Sequence, residues 1–421
     1  MTSPRTVPAT TPSTRTCISA RWLKKRMHQQ LATLKKGHLR IFCDSEWHSF
    51  GQQNSALQAE LTIHHDEFWW LVATNGSIGA AEAYIQGHWE TPELTNVVQV
   101  FVANLEVLDQ LEGGIAVFSQ WLLKGLHWLN RNNRQGSKRN IAAHYDLGNS
   151  LFERMLDPSM MYSAAMFERP TDSLYSAQLN KLKRICEKLE LTPEDHLLEI
   201  GTGWGGMALY AAREIGCRVT TTTLSREQYA YTQRKIEAMG LTDRVTLLLE
   251  DYRDLTGQYD KIVSIEMIEA VGHRYLPDYF RQCATLLKED GLMLLQAITI
   301  RDQRYAKAKA SVDFIQRYIF PGGALPSMTV LLDTLTTHTD LNLAHMEDFG
   351  LHYARTLRHW HHNLVENRSA LETLGYDEAF FRLWQFYLCY CEGGFLQRAI
   401  DTAQLLLAKP EARPRTFGLE A

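Results

Sequence analysis

The sequence predicts a doubly wound α/β fold with a mostly parallel sheet, preceded by a smaller α/β domain. Three observations carry this. From about residue 190, short apolar strands alternate with amphipathic helices, the pattern of a sheet covered on both faces. The first of those strands runs into a glycine-rich turn, Gly201-Thr202-Gly203-Trp204-Gly205-Gly206, that opens a helix. The chain has 421 residues, more than one average domain, with 45% hydrophobic and 22% charged residues, an ordinary globular balance.

Residues 1–17, rich in Ser, Thr and Pro, read as a disordered tail. From Ile18 to Lys36, Leu23, Met27, Leu31 and Leu34 recur at helical spacing among Lys24, Lys25, Arg26, Lys35 and Lys36. No acidic residue precedes Asp44. Such a helix either lies on anionic lipid headgroups or packs on its own domain. "LRIFC" and "AELTIHH" alternate like strands, and the stretch from Ser77 to Leu105 is mostly helical, with a turn at Gly87 and a new start near Thr91-Pro92. These segments define a first domain, 18–128. The polar, basic stretch 129–140 reads as a linker, and 141–421 as the second domain. There "HLLEIG", "CRVTTTTL", "RVTLLLE", "DKIVSIE", "GLMLLQAITI", "LNLAHMEDFG" and "DTAQLLLAKP" read as seven strands.

The net charge of −4 argues against a nucleic-acid partner. Seven cysteines, an odd number at irregular spacing, argue against a disulfide framework and for a reducing cytoplasm. No apolar run approaches the ~20 residues a spanning helix needs, so membrane contact would be peripheral. The three histidines of Arg358–His362 have no Asp, Glu or Cys at ligand spacing, and no metal is expected.

Glycines in the 201–206 turn let a ligand approach the backbone and a helix N-terminus. A glycine turn alone also suits dinucleotides. Glu199, just before it, suits a cationic amino-acid head better than a pyrophosphate, and no Lys or Arg lies in the turn. These residues favour S-adenosylmethionine. The strand "CRVTTTT" lacks the carboxylate that usually holds a ribose diol and runs into Thr223-Leu224-Ser225-Arg226-Glu227-Gln228.

"AHYDLGNSLFERMLDPSMMYSAAMF", "LLEIGTGWGG", "TLSREQ", "IVSIEMIEAVGHR", "FIQRYIFPGG" and "HYARTLRHW" together resemble signature blocks of the cyclopropane fatty-acid synthases and related mycolic-acid methyltransferases, in family order from about 140 to 360. The resemblance implies a seven-stranded class I methyltransferase domain and an N-terminal lipid-docking domain. The implied cofactor set is Tyr162, Ser163, Glu199, Gly201, Gly203, Gly205, Thr223, Leu224, Gln228, Asp251 and Tyr252. It also implies a bound bicarbonate as proton acceptor, cradled by Ala164, Glu269, Gln296, Ile298 and Tyr353. Phe314, Tyr318 and Phe320 would line an acyl channel, and Cys391 aligns with a cysteine regarded as an active-site residue. Two positions depart from the pattern: many members carry Cys at Ala164 and His at Gln296. The expected activity is methylene transfer from S-adenosylmethionine to a cis double bond of a phospholipid acyl chain at the membrane surface. The alternatives are a methylene- or methyl-branched (furan-precursor) product, N-methylation of a small amine, and a non-catalytic lipid-binding protein. The sequence leaves a homodimer open.

Overall fold

The computed structural model describes residues 16–111 and 148–415. Residues 1–15 of the expected tail and the whole expected linker, 129–140, lie outside them. Thr16 and Cys17, read as tail, already belong to a helix, Thr16–Leu31.

The chain forms two compact units, neither continuous in sequence. The first takes residues 1–126 together with 311–314 and 368–397. Its four-stranded sheet has the order β2-β1-β3-β4, with β1 His38–Cys43, β2 Glu46–Gly51, β3 Gln58–Ile63 and β4 Trp89–Glu90. Helices Glu67–Ile85 and Leu94–Ala103 pack with helix Glu378–Leu396, drawn from late in the chain. Thr95 donates to Glu392 (2.9 Å), and Tyr84 meets Phe386 at 5.8 Å between ring centroids. A continuous 141–421 domain does not anticipate this: Arg368–Gln397 belongs with the first unit.

In helix Thr16–Leu31 and the turn after it, Leu23, Met27, Leu31 and Leu34 are buried, 3–6% exposed. The apolar stripe is therefore committed to this unit's own core and is not available for insertion into lipid. Arg21, Trp22, Lys25 and Arg26 face out, with the Arg26 guanidinium 5.6 Å from the Trp22 ring.

The second unit carries the expected seven-stranded sheet, order β10-β11-β9-β8-β5-β6-β7. Its strands are β5 His196–Ile200, β6 Arg218–Thr222, β7 Val245–Leu248, β8 Tyr259–Ile265, β9 Leu287–Ile300, β10 Asn342–Asp348 and β11 Ile400–Ala408. β5 to β9 are parallel, while β11 runs antiparallel between β9 and β10. Both faces are covered, so strand residues alternate between two apolar layers: Met293, Leu295 and Ala297 enter one, Leu292 and Leu294 the other. The chain leaves β5 toward β6 and β7, then crosses back to β8 on β5's other side. That reversal puts the loops after β5 and β8 side by side at the carboxyl edge, where doubly wound sheets bind ligands.

Candidate active site

The turn after β5 is pinned to the neighbouring strand: the N–H groups of Gly201 and Thr202 donate to the Thr222 carbonyl (3.2 and 3.0 Å). Gly203 has φ +53°, and a Cβ there would meet no protein atom within 4 Å. Gly205 has φ +89°, and a Cβ there would lie 2.7 Å from Thr232. Gly205 thus serves close packing, whereas Gly203 borders open space at the carboxyl edge, with room for a ligand to approach the backbone. This fits an S-adenosylmethionine site.

Glu199 is 3% exposed, and its Oε2 accepts from the Thr221 hydroxyl (2.6 Å). Burial pushes its carboxyl to about 8, so it holds a proton at neutral pH in the ligand-free protein. Beyond β6, the Thr223 hydroxyl donates to the Gln228 Oε1 (2.8 Å) and Ser225 caps the next helix. Gln228 is buried and Leu224 half-buried. Asp251 lies in the loop after β7. It caps the turn Tyr252–Asp254, and both its oxygens accept from the Arg253 guanidinium (2.7 and 2.6 Å). Its role is to brace the loop, leaving Tyr252, packed edge-on against Tyr279, as the aromatic at the edge. The Ser163 hydroxyl accepts from Lys181 Nζ (2.7 Å), and Tyr162 packs against Trp360 (5.1 Å between centroids).

At the end of β8 lies a residue the sequence reading passed over. Glu266 has φ +50°, a left-handed conformation that costs a side-chain-bearing residue about 1 kcal/mol or more. Its Oε1 accepts from the Ala164 N–H (3.0 Å) and from Gln296 Nε2 (2.7 Å). Its Oε2 accepts from the Tyr353 hydroxyl (2.7 Å). Three of the five groups expected to cradle bicarbonate therefore hold a carboxylate of the chain itself. The remaining two hold each other: the Ile298 N–H donates to Glu269 Oε1 (2.6 Å). Bicarbonate does not fit this arrangement.

The orientation of Gln296 is fixed from behind. Lys188 can only donate, and its Nζ reaches Gln404 Oε1 (2.7 Å). Gln404 Nε2 therefore faces Gln296 Oε1 (3.0 Å), which leaves the Gln296 amide N–H2 toward Glu266. The two glutamines are register partners on β9 and β11. Lys181, fully buried, supplies the nearby positive charge; desolvation lowers its pKa to about 8 against the pull of Glu266 and Asp157. Glu269 Oε2 is buried without a partner, and desolvation together with the Glu266 charge pushes the Glu269 carboxyl to about 8. Burial raises the Glu266 carboxyl too, but three donors and the Lys181 charge oppose that rise, whereas the Glu269 side chain has one donor, the Ile298 N–H; of the two, Glu266 is the better furnished to hold the charge.

An open cradle at a glycine turn beside a walled, charged acceptor site describes a methyltransferase, and the comparisons with known proteins decide which. Residues 132–405 match the family described as mycolic acid cyclopropane synthetase. The chain belongs to that family. It is 38% identical to the tuberculostearic acid methyltransferase UfaA1 of Mycobacterium tuberculosis over 356 residues, 80% of each chain. It is 36% identical to the cyclopropane-fatty-acyl-phospholipid synthase of Escherichia coli over 359 residues, 85% of this chain and 89% of that one. A solved mycolic acid cyclopropane synthase, CmaA1 complexed with SAH and CTAB, superimposes with a TM-score of 0.60 at 31% identity, covering 65% of this chain and 98% of that one. The mycolic acid cyclopropane synthetase membership makes this an S-adenosylmethionine-dependent methyltransferase with lipid methyl or methylene transfer as its family-level activity.

The residues that the resemblance marks for the mycolic acid cyclopropane synthetase site are drawn from both units. Cys391 belongs to the first unit, and burial pushes its thiol far above the ordinary range, the opposite of what a nucleophile needs. Phe314 also belongs to the first unit, against Phe386 (4.8 Å) and Tyr390 (5.9 Å). Phe320 stays in the second unit beside Tyr162 (6.3 Å), and Tyr318 lies under the Arg317 guanidinium (5.1 Å). Trp360, fully buried and edge-on to Tyr353 (6.0 Å), was missed as a site residue because an aromatic in a helix usually signals only packing. Among the described residues, no group of three or more His, Cys, Asp or Glu could hold a metal.

Proposed function

We propose that the chain transfers the methyl group of S-adenosylmethionine to one carbon of a cis double bond in a phospholipid acyl chain, then closes a cyclopropane. One observation supports the alkene reading above others: Tyr162, Trp360 and Tyr353 form an aromatic wall beside the Glu266 carboxylate. A methylated alkene is a carbocation with no heteroatom to share its charge. Aromatic faces stabilise such a cation, and a carboxylate can take its proton. When bound, S-adenosylmethionine supplies an electrophilic methyl group on sulfur. The chain's part is to seat it at Gly203, hold Gln228 toward the ribose, and exclude water with the aromatic wall. The test is mass spectrometry and NMR of lipids from cells expressing the protein. Cyclopropane methylene protons at high field are expected; unchanged acyl chains would sink the reading.

A second reading is favoured by Gln296, a neutral amide where many family members carry histidine, and by the name of the M. tuberculosis relative. In it a hydride shifts to the cationic carbon before the methyl group loses its proton, leaving a methylene branch on the open chain. Vinyl protons in the same spectra would select it. If Gln296 sets this outcome, Gln296→His should raise the proportion of cyclopropane.

Docking on the membrane would rest on the exposed cations and Trp22, since the apolar stripe of the first helix is buried. Binding to anionic vesicles is expected to weaken with salt, each engaged Lys or Arg contributing about 1 kcal/mol. The triple reversal R21E, K25E, R26E keeps Leu23, Met27 and Leu31 in place and should lower vesicle binding by about tenfold or more. Binding unaltered by both salt and reversal would remove this helix from docking. Among the described residues, no helix is long and apolar enough to cross a membrane.

A further inference from the structure

We propose that Glu266 is the chain's built-in proton acceptor, a side-chain carboxylate seated where the resemblance places an exchangeable bicarbonate. The proposal rests on the alkene-methylation reading. Its basis is the donor set. The Ala164 N–H, the Gln296 amide and the Tyr353 hydroxyl converge on Glu266 at 2.7–3.0 Å. A carboxylate has about four lone-pair directions, and three are used here, leaving one on Oε2. The Lys188–Gln404–Gln296 chain allows only a donor to face this place, so it is built for an acceptor. The left-handed backbone at Glu266 is a conformation glycine would adopt without strain. Glutamate there is held against its own backbone preference, and its side chain reaches donors from three distant parts of the second unit.

The step balances without a further reactant. The sulfonium C–S bond breaks with its pair left on sulfur. The alkene π pair forms the new C–C bond and leaves the other carbon cationic. Glu266 Oε2 then takes a proton from the transferred methyl group, and the released C–H pair closes the ring. Glu266 is left neutral and returns its proton to solvent when product leaves. Tyr353 and Gln296 position the carboxylate and lose nothing.

The decisive variants are Glu266→Gly, which relaxes the backbone and vacates the acceptor place, and Glu266→Gln, which keeps the shape without the charge. The full chain is loaded with S-adenosylhomocysteine and given ¹³C-labelled sodium bicarbonate. NMR should show no bound bicarbonate in the wild type and a bound signal in E266G. On vesicles of a cis-monounsaturated phospholipid, wild-type turnover should be the same in carbon-dioxide-depleted and bicarbonate-supplemented buffer. E266Q should lose about 10²–10⁴-fold in turnover, the range for losing a general base. E266G should fall similarly and regain about tenfold or more with sodium bicarbonate or sodium formate. Calorimetry with S-adenosylhomocysteine should give the same affinity for all three, which shows them folded. Bicarbonate bound to the wild type, wild-type turnover that follows bicarbonate, or near-normal turnover in E266Q would each overturn the proposal. Absence of product from every alkene vesicle with the wild type would instead refute alkene methylation and the base role with it. The NMR comparison would still report whether Glu266 fills the place.

Discussion

Gly203→Val is expected to lower S-adenosylmethionine affinity by about 100-fold or more while the protein still folds. The argument separates the two glycines of the turn. At Gly203 an added Cβ meets nothing of the protein within 4 Å, so the branch point of the side chain enters open space where a ligand would lie. The left-handed φ of +53° adds about 1–2 kcal/mol of strain for a residue with a Cβ, enough to lower the melting temperature but not to unfold a domain of this size. At Gly205 the same Cβ would press on Thr232 at 2.7 Å, so Gly205→Ala should act first on stability. Calorimetry with S-adenosylhomocysteine and thermal melts of the two variants give the comparison. Unchanged affinity in Gly203→Val would remove the turn from the cofactor site.

What the sequence made legible follows from where each signal lives. The inner strands of the large sheet were readable because burial on both faces favours short apolar runs, as in "GLMLLQAITI", whereas the edge strand β10 is mostly exposed and was read from its place late in the strand–helix alternation. The glycine turn was readable because its chemistry is local. β2, "EWHSFG", was not, because as an edge strand it is mostly exposed and shows no apolar alternation. Helix Glu378–Leu396 is apolar enough to announce burial, yet nothing local says which unit it packs against. Glu266 was hidden for the same reason. Its partners lie 102, 30 and 87 residues away in sequence, so only the fold reveals a convergent donor set. Asp251 was legible in part: its place after β7 suits a ligand, while its pairing with Arg253, two residues on, appears only in the fold.

The second large effect concerns pH and the pair Glu199 and Glu269. Each carboxyl rises from an ordinary 4.5 to about 8 in the fold. Between those values the native state holds protons that the unfolded chain has released. Their contribution is therefore most favourable below pH 4.5 and is lost as pH rises toward 8, on the order of 1 kcal/mol per pH unit for each group. Glu269→Gln should remove one of the two, so its melting temperature should fall less steeply than the wild type's between about pH 5 and pH 8. The same variant tests where the active-site charge lies. The resemblance alone would make Glu269 part of the proton-accepting apparatus and predict a heavy loss from removing its charge. The donor count predicts otherwise. Glu269 has one donor and an unpartnered oxygen, and burial with Glu266 beside it pushes its carboxyl to about 8, so it is largely protonated at pH 7. Glutamine resembles that neutral form and can still accept from the Ile298 N–H. Turnover of Glu269→Gln at pH 7 should stay within about tenfold of wild type, with cofactor affinity unchanged, a small effect beside the general-base range expected for Glu266→Gln. A loss of a hundredfold or more, with a stability slope like the wild type's, would return the charge to Glu269 and reverse the assignment of the pair.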